Sequence, residues 1–146
     1  MQRRDVVRAL AAVPMVAALR WTPAEAETAV RAMRDRRRDG TYAPEFFTAH
    51  EYATVQVLVD LIIPRDERSG SATEAGVPEF MDFVVKGSES MQTPMRGGLA
   101  WLDRESRERF GSPFLEASDA QRRSLLDDIA WPRRAPPEFR AGVNWF

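Results

Sequence analysis

A chain of 146 residues has room for one domain built around one core. Its 44% hydrophobic and 29% charged residues describe a globular rather than a disordered protein, and a formal net charge of -1 gives no reason to expect nucleic acid as a partner. The absence of cysteine excludes disulfides, thiolate catalysis, iron–sulfur ligation, Cys-ligated zinc and covalent c-type haem. A single histidine, His50, leaves no His-paired metal site and no Ser/His/Asp arrangement except through that residue.

In chain order, residues 1–8 place charge ahead of the apolar run Ala9–Leu19. That run falls short of the roughly 20 residues that cross a bilayer, but it suits the apolar core of a signal peptide. Arg3-Arg4 with Val6-Val7 resembles a twin-arginine export signal, departing from that pattern at Gln2, Val6, Val7 and Arg8. Ala24-Glu25-Ala26 then offers an Ala-x-Ala cleavage site that would free a chain starting at Glu27. The same stretch reads equally as a helix start. Thr22 and Glu25 make a capping box with Pro23 at the first helical position, opening a helix through Val30 and Met33 toward Arg38. The charge run Arg34–Gly40 reads as a solvated helix end and linker, so 27–45 is expected to be a charged linker behind a signal segment at 1–26.

Thr48 and Glu51 form a second capping box, preceded by Phe46-Phe47, with Phe47 placed to staple back onto the first turn. Tyr52, Val55, Leu58, Val59 and Ile62 fall on one helical face, and Pro64 ends the helix. His50 in the first turn shows no partner and is expected to face solvent. In the loop from Arg65 to Gly76, Asp66 reads first as a structural cap or partner contact and second as a cation ligand. Acid–base work comes last, because an exposed Ser/Gly-rich loop does not bury its carboxylates. Pro78 starts the next helix, with Phe80, Met81, Phe83 and Val84 inward and Gly87 able to take a left-handed cap.

Ser88–Pro94 reads as a loop, followed by a helix from Pro94 to Phe110 with Met95, Leu99, Leu102, Ser106 and Phe110 on one face and Gly111 as its stop. Gly97-Gly98 implies close approach of another backbone. Trp101 lies off the stripe and either widens the core face or stands out as an aromatic anchor. Ser118 and Gln121 form another capping box, and the helix with Leu125, Leu126 and Ile129 stops at Trp131-Pro132. A Pro/Arg-rich connector leads to the apolar Trp145-Phe146 end. No phosphate-cradling glycine loop occurs. The pattern specifies an all-α fold: a small irregular bundle of four to five short capped helices behind a signal-like N-terminal segment.

The blocks Asp60–Pro64 with Asp66, Ala75–Pro78 with Phe80–Asp82, Gly98–Asp103 with Ser106-Arg107 and Arg109–Gly111, and Gln121–Pro132 together resemble the small third subunit of gluconate 2-dehydrogenase. The resemblance covers roughly 46–146. Members of that family usually continue through a longer helix and an aromatic, glycine-containing tail, so this domain is expected to lack part of its C-terminus. The resemblance implies a non-catalytic accessory subunit, with no catalytic, cofactor-binding or metal-binding residue of its own. Such a subunit binds the FAD-containing catalytic subunit of a sugar or sugar-acid dehydrogenase, supports its maturation and escorts it to the periplasm through the twin-arginine machinery on Arg3 and Arg4. FAD and c-type haem would then reside on partner subunits, with electrons passing to a c-type cytochrome subunit at the inner membrane. Asp66, Phe80, Trp101, Trp131 and Trp145 are the candidate partner contacts. Two other readings are an exported structural or membrane-peripheral helical protein, and a small enzyme using Asp60, Asp66 and Asp103, which requires at least two of these carboxylates in one cleft.

Overall fold

The computed structural model describes residues 22–40, 42–131 and 135–145. The Arg3-Arg4 pair and the apolar run Ala9–Leu19 lie outside the described residues. Within them the chain is all-α: α1 (Pro23–Arg38), α2 (Ala49–Ile62), α3 (Val77–Lys86), α4 (Glu89–Phe110), α5 (Asp119–Ala130), a 3-10 turn (Pro137–Phe139) and α6 (Arg140–Trp145). No described helix is long and apolar enough to cross a membrane.

Helix α4 is the spine, packing against α2, α3, α5 and α6, while α1 rests chiefly on α3. The core gathers Val55, Leu58 and Val59 of α2, Leu99, Trp101 and Leu102 of α4, and Leu125, Leu126 and Ile129 of α5, with Phe47 and Phe114 supplied by the connecting segments. Both capping boxes after residue 40 form. Thr48 and Glu51 satisfy each other's backbone N–H groups at the start of α2, and Ser118 and Gln121 do so at the start of α5. Gly111 closes α4 at φ 79, a left-handed conformation that costs a glycine nothing.

Four local expectations change. Residues Glu89–Thr93 are helical, so α4 begins well ahead of Pro94, which sits inside it. The missing N–H of Pro94 forfeits one bond to the first turn, and that turn is held from outside: Gln92 Nε2 donates to the carbonyls of Val85 and Lys86 at 3.3 and 3.2 Å, stitching the end of α3 to the start of α4. Gly87 is right-handed at φ -77, and the left-handed glycine of this helix is instead its N-cap, Gly76, at φ 86. Ile62, expected inward, is the last residue of α2 and is 56% exposed. Residues 27–38, expected within a linker, belong to α1, as the capping reading of Thr22-Pro23 anticipates.

Candidate functional site

Helix α3 turns two carboxylates, not its aromatics, toward the interior. Glu79 and Asp82 are buried together with Val84 and Val85, while Phe80 is 36% exposed and Met81 and Phe83 are half-buried. Asp82 is fully partnered there. Its Oδ1 accepts from the backbone N–H groups of Phe46 (3.0 Å) and Phe47 (2.9 Å), and its Oδ2 accepts from Glu45 N–H (2.8 Å) and the Tyr42 hydroxyl (2.9 Å). Four donors on one carboxylate offset its desolvation. Burial, and then the hydrogen bond to Asp82, push the Tyr42 phenol well above its ordinary range, so it remains a donor. The result is a knot that pins the Tyr42–Phe47 segment onto α3. Arg96 of α4 closes it by donating to Phe46 O at 2.9 Å and lying 4.6 Å from the Phe46 ring centroid.

Another buried carboxylate, Asp103, ties three elements together. Its Oδ1 accepts from Phe114 N–H at 3.0 Å, fixing the turn that drops Phe114 into the core, and its Oδ2 lies 2.5 Å from His50 Nε2 on α2. His50, expected to face solvent without a partner, thus has one, although half of its side chain remains accessible. Arg109 makes the third knot. It pairs with Glu105 and Asp128, both at 2.6 Å, and lies 4.1 Å from the Phe139 ring centroid, joining α4, α5 and the C-terminal segment. Burial acts to lower its pKa, but the hydrogen bonds to Asp128 and Glu105 outweigh it and raise it.

The loop after α2 is internally bonded. Asp66 Oδ1 accepts from Arg68 N–H and Ser69 N–H, each at 2.8 Å, and from the Ser69 hydroxyl at 3.0 Å, the structural-cap role expected of it. Asp60 Oδ1 accepts from Thr73 N–H at 2.7 Å, and Arg65 pairs with Glu74. That pairing holds Glu74 below the usual carboxylate range, helped by Ser71 N–H. The three aspartates of the enzyme reading, at least two of which it needs in one cleft, are engaged at separate places in the fold: Asp60 on Thr73, Asp66 on its own loop, Asp103 on Phe114 and His50. Among the described residues no group of three or more His, Asp or Glu side chains is gathered as a metal ion would need.

The remaining candidates divide by exposure. Trp131 is 59% exposed at the end of α5, and Phe80 stands at the surface of α3. Trp101 is only 7% exposed, resolving its two readings in favour of the core. Its ring meets Phe139 edge-on at 6.3 Å and abuts Gly142, where a Cβ would come within 2.5 Å of Trp101 Cη2 and 2.9 Å of Ile129 Cγ2. Trp145 is half-buried with its indole directly over Gly98. The close approach expected at Gly97-Gly98 therefore occurs at Gly98 and involves a side chain, while Gly97 is open. A hollow of about 550 Å³ runs alongside, bordered by Pro94, Ala100, Arg104, Asn144 and Trp145. Sequence reasoning passed over Ile62 and Ile63 as a surface. They are 56% and 50% exposed, form an aliphatic knuckle at the end of α2, and are held in place by Ala72 N–H donating to Ile63 O at 3.1 Å. The signal for it was Ile62-Ile63-Pro64 itself, an apolar pair at the point where proline forces the chain out of the helix.

A family model described as gluconate 2-dehydrogenase subunit 3 matches residues 49–146, from the first residue of α2 to the end of the chain. No curated protein and no solved structure gives a match.

Proposed function

The chain belongs to the gluconate 2-dehydrogenase subunit 3 family, and on that premise we propose that it is a non-catalytic small subunit that binds an FAD-containing dehydrogenase subunit, supports its maturation and escorts it through the twin-arginine route. The family is that of an accessory subunit in a dehydrogenase complex. In this reading FAD stays on the catalytic partner, c-type haem on a cytochrome subunit that receives the electrons, and the assembly works in the periplasm at the inner membrane.

One observation carries the reading most directly. Asp60, Asp82 and Asp103 are each engaged by backbone N–H groups of this chain, whereas aliphatic and aromatic groups stand outward at Ile62, Ile63, Phe80 and Trp131. Side chains already committed to structure are poor acid–base groups, and rigidly presented apolar groups are what an association surface uses. Ile62-Ile63 is the better docking point, because the bonded loop behind it fixes its shape before a partner arrives, reducing the ordering cost of binding. Trp131 offers a second anchor at the end of α5, and Asp66 supports the knuckle through its loop.

Co-expression with the flavoprotein subunit tests the escort role. Replacing Arg3 and Arg4 together by Lys is expected to leave the flavoprotein in the cytoplasm, measured by fractionation and dehydrogenase activity. Undiminished periplasmic flavoprotein would contradict it.

A further inference from the structure

We infer that Ala24-Glu25-Ala26 is a conditional processing site, hydrolysed between Ala26 and Glu27 only while the first turn of α1 is open. That an endopeptidase selective for Ala-x-Ala meets this chain rests on the export reading above. That the site is shut in the folded chain rests on geometry alone.

The bond between Ala26 and Glu27 lies inside α1, which is helical from Pro23. The Thr28 hydroxyl donates to the carbonyl of Ala24 at 2.8 Å across the scissile peptide, and Arg31 pairs with Glu27 at 3.0 Å just beyond it. An endopeptidase that reads small residues at alternate positions binds its substrate extended, at about 3.3 Å per residue with residues two apart on one side. A helix advances about 1.5 Å per residue and sends residues two apart to opposite sides. Recognition and the helix are therefore mutually exclusive, and cutting requires the turn to unwind.

The anchorage of α1 sets how often that happens. Among its described side chains Met33 is the buried one, and the ion pair from Arg36 to Glu45 spans 3.8 Å between well-exposed side chains. A helix of this length is marginal by itself, so its residence depends on docking against α3. When opening and closing are fast relative to cleavage, the rate follows the population of the open form. Hydrolysis consumes one water, leaving a carboxyl group on Ala26 and a free amino group on Glu27. The shortened helix keeps Met33 and Arg36. It now begins with a positive charge at its positive end, a cost that the Glu27 carboxylate reduces. Helix α1 thus acts as a gate that delays release of the leading segment in chains whose body has already folded.

The full-length purified chain, incubated with a membrane-derived signal-type endopeptidase and followed by mass spectrometry, gives the test. The wild-type chain is expected to lose residues 1–26 slowly. Met33→Gly, distant from the cut bond, should be cut about tenfold faster, and Arg36→Gly faster by a smaller factor, since opening rises while the recognised residues are unchanged. Met33→Leu should match the wild type. The near-UV signal of the tryptophans reports whether each body remains folded. A wild-type rate in both glycine variants, or the absence of any cut between Ala26 and Glu27 in them, would overturn the gate. Either result leaves the escort role to be judged separately by the Arg3 and Arg4 substitutions.

Discussion

The two terminal helices lie over the same body and are held by opposite means. Helix α1 rests on α3 with Met33 buried and an exposed ion pair from Arg36 to Glu45 in the segment ahead of α2, leaving most of its described surface to water. Helix α6 is far shorter, yet Gly142 lets it settle against Trp101 and Ile129, Trp145 covers Gly98, and Arg109 grips Phe139 just before it. Length therefore does not measure attachment here. Close contact at glycine seats and a partly desolvated cation do, because dispersion and ring electrostatics grow as water is excluded, whereas exposed ion pairs contribute about 0–1 kcal/mol each.

The largest expected effect comes from breaking the knot that pins the Tyr42–Phe47 segment, which follows α1, onto α3. Asp82→Ala deprives three backbone N–H groups and the Tyr42 hydroxyl of their acceptor inside the protein. Because each stranded donor costs about 1–3 kcal/mol and some will recover water, a total loss of about 3–5 kcal/mol is expected in urea unfolding. Loss of exchange protection should begin in the Tyr42–Phe47 segment and spread into α1. Next is Gly142→Val, which would give the C-terminal helix the loose attachment of the N-terminal one. Its side chain collides with Trp101 and Ile129, so a loss of about 2–3 kcal/mol is expected with increased tryptophan exposure to quenchers.

Much of this contrast was hidden in the sequence, and the reason differs by element. The capping boxes at Thr48 and Ser118, the stripe Leu99, Leu102 and Ser106, and the stop at Gly111 are local patterns, complete within a few residues, and each formed where the spacing placed it. Asp82 and Asp103 were not legible as interior groups. Their partners are backbone N–H groups as far as 37 residues away, which no periodicity reveals, and a charged residue on a helix reads as its wet face. The same limit hid the partner of His50, contributed by α4, and allowed Pro94 to be mistaken for a helix start when Gln92 supports the turn ahead of it. Trp101 was undecidable until α6 was seen to cover it.

A smaller effect sharpens the point about exposed ion pairs. The Arg65–Glu74 pairing holds the Glu74 pKa below its unfolded value, so its stabilising contribution is complete above the usual Glu range and is lost as pH falls through the depressed folded value. Both groups are solvent-exposed, and acidification through that window should loosen the loop around Asp66 and Ser69 while leaving the global unfolding midpoint almost unchanged in a Glu74→Gln comparison. A marked shift attributable to Glu74 would mean that surface pairing holds more of this fold than its exposure implies.

The most direct measurement is the affinity of the purified chain for its flavoprotein subunit, by calorimetry, for the wild type and for Ile62→Ser combined with Ile63→Ser. Association through the rigid aliphatic knuckle predicts a wild-type complex and at least about a tenfold weaker one for the double variant, with unfolding stability essentially unchanged because both side chains are already exposed. No complex with the wild-type chain, or equal affinity for both forms, would contradict it.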